Sequence, residues 1–399
     1  MIEKITAKHK IFILASFLAF FVLSIPYNIQ GPNAPVTMEY YGITAAGQGF
    51  IMTIQSLGNI CAAVFLALRG ERYNKIHTIT FGLLILCLAC SAIGSVPAYA
   101  ALLAMVAAIG IGAAFIDVMM NGAVTDIYTK QKNTFLPLVH GFFGIGAMVT
   151  PLFVTMTANP ARPETFSRPF RFLGVIAAAV AAFYFFTGRR IVPETPYSNM
   201  AVMKKRAIED PAEVFKTRKA WFFLVVGLLY FTFQLGTNMW LPTYTMRNAG
   251  ADFDTAGLML TVFFAGALPM RMLGPLFLRR FSARVIFWAF GLASAALMLA
   301  ALLTGNIAAM FALVAASGFM QGSSAPVFIL ICCETFPDRT ASASSICTIS
   351  AGVATLTAPL WMGGLSEHTG FQLPMILICC SMFISAGLIF LKSGKAAPL

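Results

Sequence analysis

Residues 110–151 read GIGAAFIDVMMNGAVTDIYTKQKNTFLPLVHGFFGIGAMVTP. A long apolar run carries Asp117 and, one helical turn later, Asn121. A short basic loop with Lys130 and Lys132 follows, and a second apolar run then carries His140. Each run supplies the roughly 20 apolar residues that a helix needs to cross a bilayer. Asp117 lies about ten residues from the basic loop, which at about 1.5 Å per residue puts it near the midplane. A carboxylate at that depth is costly unless it faces a partner or a water-filled cavity.

The rest of the chain repeats this pattern. Of 399 residues, 59% are hydrophobic and 11% charged, whereas a soluble domain carries about 25% charged residues. The composition is that of an all-α integral membrane protein with room for about twelve spans. They are expected near 11–38, 46–68, 76–95, 98–126, 135–158, 169–190, 220–246, 254–278, 285–304, 307–332, 341–363 and 371–391. The eight cysteines all lie in apolar segments, and Cys87 and Cys90 share a span with no histidine or acid beside them. They read as small apolar filling. No P-loop, H-E-x-x-H or G-x-S-x-G pattern occurs, so no catalytic residue, metal, cofactor or ATP drive is expected, and the chain is not read as an enzyme.

The net charge of +12 is explained by topology, not by nucleic-acid binding. With the N-terminus inside, 22 of the 27 Lys and Arg fall on inner segments. Only Arg162, Arg168, Arg171 and Arg247 fall on outer loops, and Arg271 lies within a span. From this asymmetry both termini are expected in the cytoplasm, and the expected location is the inner (plasma) membrane of a bacterium. The longest polar stretch, 191–219, reads as a cytoplasmic linker between an N-terminal bundle (1–190) and a C-terminal bundle (220–399).

The two bundles are related. At an offset of 208 residues Gly58 aligns with Gly266, Gly110 with Gly318, Asp126 with Glu334, Gly144 with Gly352 and Pro151 with Pro359. Six spans per repeat give parallel halves, an arrangement that in transporters puts the substrate site between the halves near the midplane.

The loop Glu71-Arg72-Tyr73-Asn74-Lys75 resembles the G-x-x-x-D-R-x-G-R loop of the major facilitator superfamily, with Glu71 at the acidic position; Gly274–Arg284 is a second, degenerate copy. The resemblance implies the major facilitator fold, twelve transmembrane helices in two parallel six-helix repeats. More narrowly, D-V-x-x-N followed by H-G-F-F-G-x-G-A-x-x-x-P is similar to the fucose–proton symporter branch, on Asp117, Asn121, His140, Gly141, Phe142, Phe143, Gly144, Gly146 and Pro151. That resemblance implies proton-coupled sugar symport with acids on the first and fourth spans. Asp117 supplies the second of these, whereas the first-span position falls on Gly31, among the neutral Asn28, Gln30 and Asn33.

These readings select the candidate site. Asp117 and His140 are proton-coupling candidates, weighed against a structural ion pair and a packing histidine. Asn28, Gln30, Asn33, Gln55, Asn59, Asn121, Gln234, Asn238 and Gln321 are polar candidates for substrate contact, or else for interhelical hydrogen bonds. Trp240 suits stacking on a sugar ring or an interfacial belt, and the following Pro242 invites a break in its helix. Arg271 is read as neutralising an anionic substrate, pairing with Asp117, or snorkelling and capping carbonyls. Asp126 and Glu334 are expected to pair with Arg72 and Arg280, latching an inner gate together with Glu71. The expected partners are a small solute, protons and the lipid bilayer, with the chain a monomer. The rival function is efflux or flipping of drugs, amphiphiles or lipids, for which 37 Phe and 21 Met would suit a greasy cavity.

Overall fold

The computed structural model describes residues 6–69, 73–128, 132–192, 216–336 and 340–393. Among these the chain is helical throughout: α1 (Ala7–Asn28), α2 (Gln30–Tyr41), α3 (Ala45–Arg69), α4 (Lys75–Ala92), α5 (Tyr99–Ile127), α6 (Lys132–Thr157), α7 (Arg168–Ile191), α8 (Arg218–Arg247), α9 (Phe253–Leu278), α10 (Ala283–Leu303), α11 (Ile307–Gln321), α12 (Ser324–Thr335), α13 (Thr340–Thr369) and α14 (Gln372–Ser393). Twelve membrane-length apolar spans result, so the protein is a multi-pass membrane protein. Large apolar side chains such as Leu88, Met156, Val175 and Met272 stand exposed, as they do where the solvent is lipid. Side-chain caps start several helices: Asn74 accepts from the Ile76 and His77 amides, Ser282 from Val285 and Asn306 from Ala309.

Two expected spans are each built from two helices. The first breaks at Ile29, within a stretch crowded by Pro26, Gly31, Pro32 and Pro35. The tenth breaks at Gly322-Ser323, between α11 and α12. The break expected at Pro242 does not occur, because α8 continues through it. Proline is tolerated within membrane helices where neighbours satisfy the backbone, and the Thr245 hydroxyl donates to the Leu241 carbonyl in this turn.

The chain divides into two compact units. One comprises Met1–Gly42 and Ile51–Ile208, and the other Ile43–Phe50 and Glu209–Leu399. The start of α3 thus groups with the second unit, a difference from the division expected at residue 190. Its cause is local. Glu367 on α13 accepts from the Ala46 amide at 2.9 Å, capping the orphan donors of the helix start. A Cβ at Gly49 would overlap the Pro359 carbonyl, and one at Gly363 the Ala45 carbonyl, so glycine permits the contact.

Within each unit the same neighbours recur. α1 packs on α6 and α7 as α8 packs on α13 and α14, and α4 packs on α5 and α7 as α10 packs on α11 and α14. The 208-residue offset extends to individual close approaches. A Cβ at Gly58 would overlap the Ala107 carbonyl, and one at Gly110 the Gln55 carbonyl. At the offset positions Gly266 meets the Ala315 carbonyl and Gly318 the Phe263 carbonyl in the same way. The α3–α5 and α9–α11 crossings are therefore one backbone-on-backbone contact built twice.

Candidate functional site

In the first unit α5 presents Asp117 and Asn121 at i and i+4, on one face. The Asn121 amide donates to the Asp117 carbonyl at 3.0 Å, and Asn121 Oδ1 lies 3.1 Å from His140 Nε2 on α6. An amide oxygen only accepts, so this contact has His140 Nε2 carry the hydrogen. The edge of the His140–Phe20 pair completes the setting, with centroids 5.3 Å apart at 88°.

Around His140 the H-G-F-F-G-x-G pattern serves α1–α6 packing. Phe142 stacks on Phe17 at 4.7 Å, and Phe143 meets both Phe20 and Tyr27. A side chain at Gly146 would overlap the Ser24 hydroxyl, so this glycine lets α1 approach.

Tyr27 is the residue that sequence reasoning missed. Its hydroxyl accepts from Asn59 on α3 at 2.7 Å and is close enough to feel the Asp117 carboxylate. Asn59 also donates to the Gly110 carbonyl at 3.3 Å, so the α3–α5 crossing carries the amide that positions Tyr27. Next to it Gln55 donates to the Pro26 carbonyl at 2.9 Å, and Gln30 donates to Gln55 at 3.1 Å. These amides bind the α1–α2 break to α3.

The remaining first-span candidates are tied to backbone. Asn28 donates to the Ser24 carbonyl at 2.7 Å, and Asn33 to the Phe166 carbonyl at 2.9 Å in the 3₁₀ turn Pro163–Ser167. Both are buried. Thus Asp117, Asn121, His140, Asn59 and Tyr27 form one cluster, with Gln55 and Gln30 beside it and Asn28 and Asn33 apart.

In the second unit Gln234 and Asn238 lie on α8, half-buried. Trp240 is fully buried with its ring packed on Phe371 at 5.1 Å. It is neither an interfacial belt residue nor an open stacking surface, because Phe371 occupies it. Gln321 and Ser323 flank the α11–α12 break, buried, with no hydrogen-bond partner for either amide atom of Gln321 or for the Ser323 hydroxyl. Arg271 Nε donates to the Gly322 carbonyl in that break at 3.3 Å.

The expected gate residues divide. Asp126 pairs with Lys75 at 2.8 Å, side chains 12% and 6% exposed. Its expected partner Arg72, and Glu71, lie outside the described residues. Lys75 is the first residue of α4, and its side chain runs over Gly122, whose missing Cβ leaves that space. Glu334 and Arg280 are both exposed and do not pair in this structure. The repeat equivalent of Lys75 is Ala283, so no buried ammonium awaits Glu334.

The Major Facilitator Superfamily model matches residues 16–252 and 244–398. The chain belongs to the major facilitator superfamily. The transporter is similar in fold to a bacterial homologue of the human lysosomal transporter Spinster, at 16% identity and a TM-score of 0.82, covering 99% of this chain and 100% of that one. It is also similar to a D-xylose–proton symporter (12% identity, TM-score 0.76, 98% of each chain). A third similar structure is the nucleoside transporter NupG (15% identity, TM-score 0.77, 98% of this chain and 100% of that one). No curated protein sequence matches the chain. The protein is a transporter with twelve spans in the major facilitator fold, and not an enzyme.

Proposed function

We propose that the transporter is a proton-coupled symporter of a sugar or a related small polar organic solute, working by alternating access. The observation that carries this reading is the setting of Asp117. Its carboxyl lies mid-span among Asn121 and Tyr27, with no cationic partner among the described residues. An uncompensated carboxylate inside a membrane protein is costly, and taking up a proton removes that cost. A proton carrier that changes the energy of reorientation needs this property.

In this reading the Asn121–His140 and Asn59–Tyr27 pairs orient Asp117 and offer hydroxyl-binding groups. Gln30 and Gln55 extend the polar set of the first unit, and Gln234, Asn238 and Gln321 are the polar candidates of the second. The Asp126–Lys75 pair acts as an inner latch of the first unit, while Arg280 and Glu334 stand as exposed charge in the second. The D-V-x-x-N and H-G-F-F-G pattern supports placement near the fucose–proton symporter branch. The names of two fold neighbours, a D-xylose–proton symporter and a nucleoside transporter, agree with a hydroxylated solute. The distribution of basic residues supports a bacterial plasma-membrane location with both termini cytoplasmic.

Reconstitution in proteoliposomes tests the reading, after a thermal-shift screen of sugars, sugar acids and polyols has chosen the solute. With one proton moved per solute, a pH gradient of about one unit sustains about tenfold accumulation. Asp117→Asn should abolish accumulation while leaving solute exchange down its own gradient. Wild-type accumulation by Asp117→Asn refutes the role.

A further inference from the structure

The tenth span is interrupted where α9 passes it. A Cβ at Gly322 would overlap the Ala267 carbonyl, and one at Gly274 would lie 3.3 Å from Ser323 Cβ. Ala267, Arg271 and Gly274 thus share the α9 face that meets the break, at i, i+4 and i+7. Arg271 Nε donates to the Gly322 carbonyl. No carboxylate pairs with this guanidinium among the described residues; the ionisable group close enough to feel it is the Tyr230 phenol. Flanking the same carbonyl, Gln321 is 4% and Ser323 2% exposed, with their polar atoms unpartnered. Buried polar groups are ordinarily hydrogen-bonded, and leaving them without partners costs free energy.

What the break offers carries a positive charge and has more donors than acceptors: the guanidinium N–H groups beyond Nε, an amide NH₂ and a hydroxyl, against the single amide oxygen of Gln321. A neutral sugar needs acceptors and donors in similar number. A carboxylate takes donors alone, and a guanidinium binds it in a planar, two-pronged geometry.

We propose that Arg271, Gln321 and Ser323 form a carboxylate-binding site at the break of the tenth span, so that the transported solute is a hydroxylated organic acid such as a sugar acid. This rests on the proton-symport reading in one respect, the proton on Asp117. A monoanion moving with one proton transfers no net charge. Uptake is therefore electroneutral, driven by a pH gradient and indifferent to membrane potential.

Matched pairs that differ at one carbon test the site on the full-length purified protein. D-Gluconate is compared with D-glucitol, and D-galacturonate with D-galactose, by thermal shift and then by uptake into proteoliposomes. The acid of at least one pair should stabilise the protein where its neutral partner does not. Arg271→Gln should weaken acid binding by about tenfold or more, the worth of a charged hydrogen bond. Arg271→Lys should restore part of that affinity, and Gln321→Ala and Ser323→Ala should each cost roughly threefold. If Arg271→Gln does not fold, these three variants carry the test.

The proposal is overturned if only neutral partners bind, if nothing in the panel binds, or if Arg271→Gln lowers the melting temperature yet binds acid as tightly as the wild type. The last result would leave Arg271 as a cap on the break and no more. The two readings fail separately. Proton-coupled uptake of neutral D-galactose through Asp117 sinks the carboxylate site alone. Acid binding through Arg271 with undiminished accumulation by Asp117→Asn sinks the proton carrier alone.

Discussion

Replacing Gly110 by alanine tests both the helix crossing and the cluster it holds. A Cβ there would overlap the Gln55 carbonyl oxygen and come within 2.9 Å of the Asn59 amide nitrogen. Both obstacles are α3 backbone, which cannot rotate away as a side chain would, so α3 must move off α5. Overpacking of this kind costs about 1–3 kcal/mol. The movement also strains the Asn59 bonds to the Gly110 carbonyl and the Tyr27 hydroxyl, each worth about 1 kcal/mol net. Alanine returns up to about 1 kcal/mol of helix propensity. The net expectation is a loss of roughly 2 kcal/mol, read as reduced resistance to a denaturing detergent titration, together with reduced uptake because Asn59 withdraws from Tyr27. Gly141→Ala is the control: a Cβ there meets nothing within 4 Å, so that variant should be unchanged or slightly more stable. If Gly110→Ala proves as stable as Gly141→Ala, the close crossing is not a constraint and the account of how Tyr27 is positioned fails with it.

Two further expectations concern charge. Removing either partner of Lys75–Asp126, by Lys75→Met or Asp126→Leu, takes the 2.8 Å ion-pair contact from a nearly buried charge and should cost about 3 kcal/mol, whereas the double variant should lie within about 1 kcal/mol of wild type. A double-mutant cycle measures the coupling, and strictly additive single effects would count against the pair. Asp252, ahead of α9, caps the Thr255 amide, and the Thr255 hydrogen bonds hold its carboxyl below the usual carboxylate range. A carboxyl depressed on folding contributes stability above its unfolded titration range and loses it as pH falls through the folded one. The melting-temperature gap between wild type and Asp252→Ala should therefore be widest near neutrality and close on acidification. A gap that is flat with pH would contradict this.

The spans were legible because hydropathy and length alone set them, and the repeat because backbone crossings demand glycine at fixed positions. The interruptions were not. Pro242 looked like a break, but α8 runs on through it. Nothing in the apolar run marked Gly322, and it stands where the tenth span parts. Asp117, Asn121 and His140 could be found because polar residues stand out in apolar runs, and helical spacing joined the first two. Tyr27 could not, since a tyrosine between Pro26 and Asn28 reads as one more aromatic until its hydroxyl is seen on Asn59. Lys75 was counted as loop charge because its burial depends on Gly122, forty-seven positions later, having no side chain.

Duplicated scaffolds usually duplicate their chemistry, and here they did not. At the offset that superposes the crossings, Asp117 corresponds to Ala325 and Arg271 to Ala63. Two identical six-helix chains would each carry the same groups. In the fused chain the copies differ, so one polypeptide presents an acid from one and a base from the other.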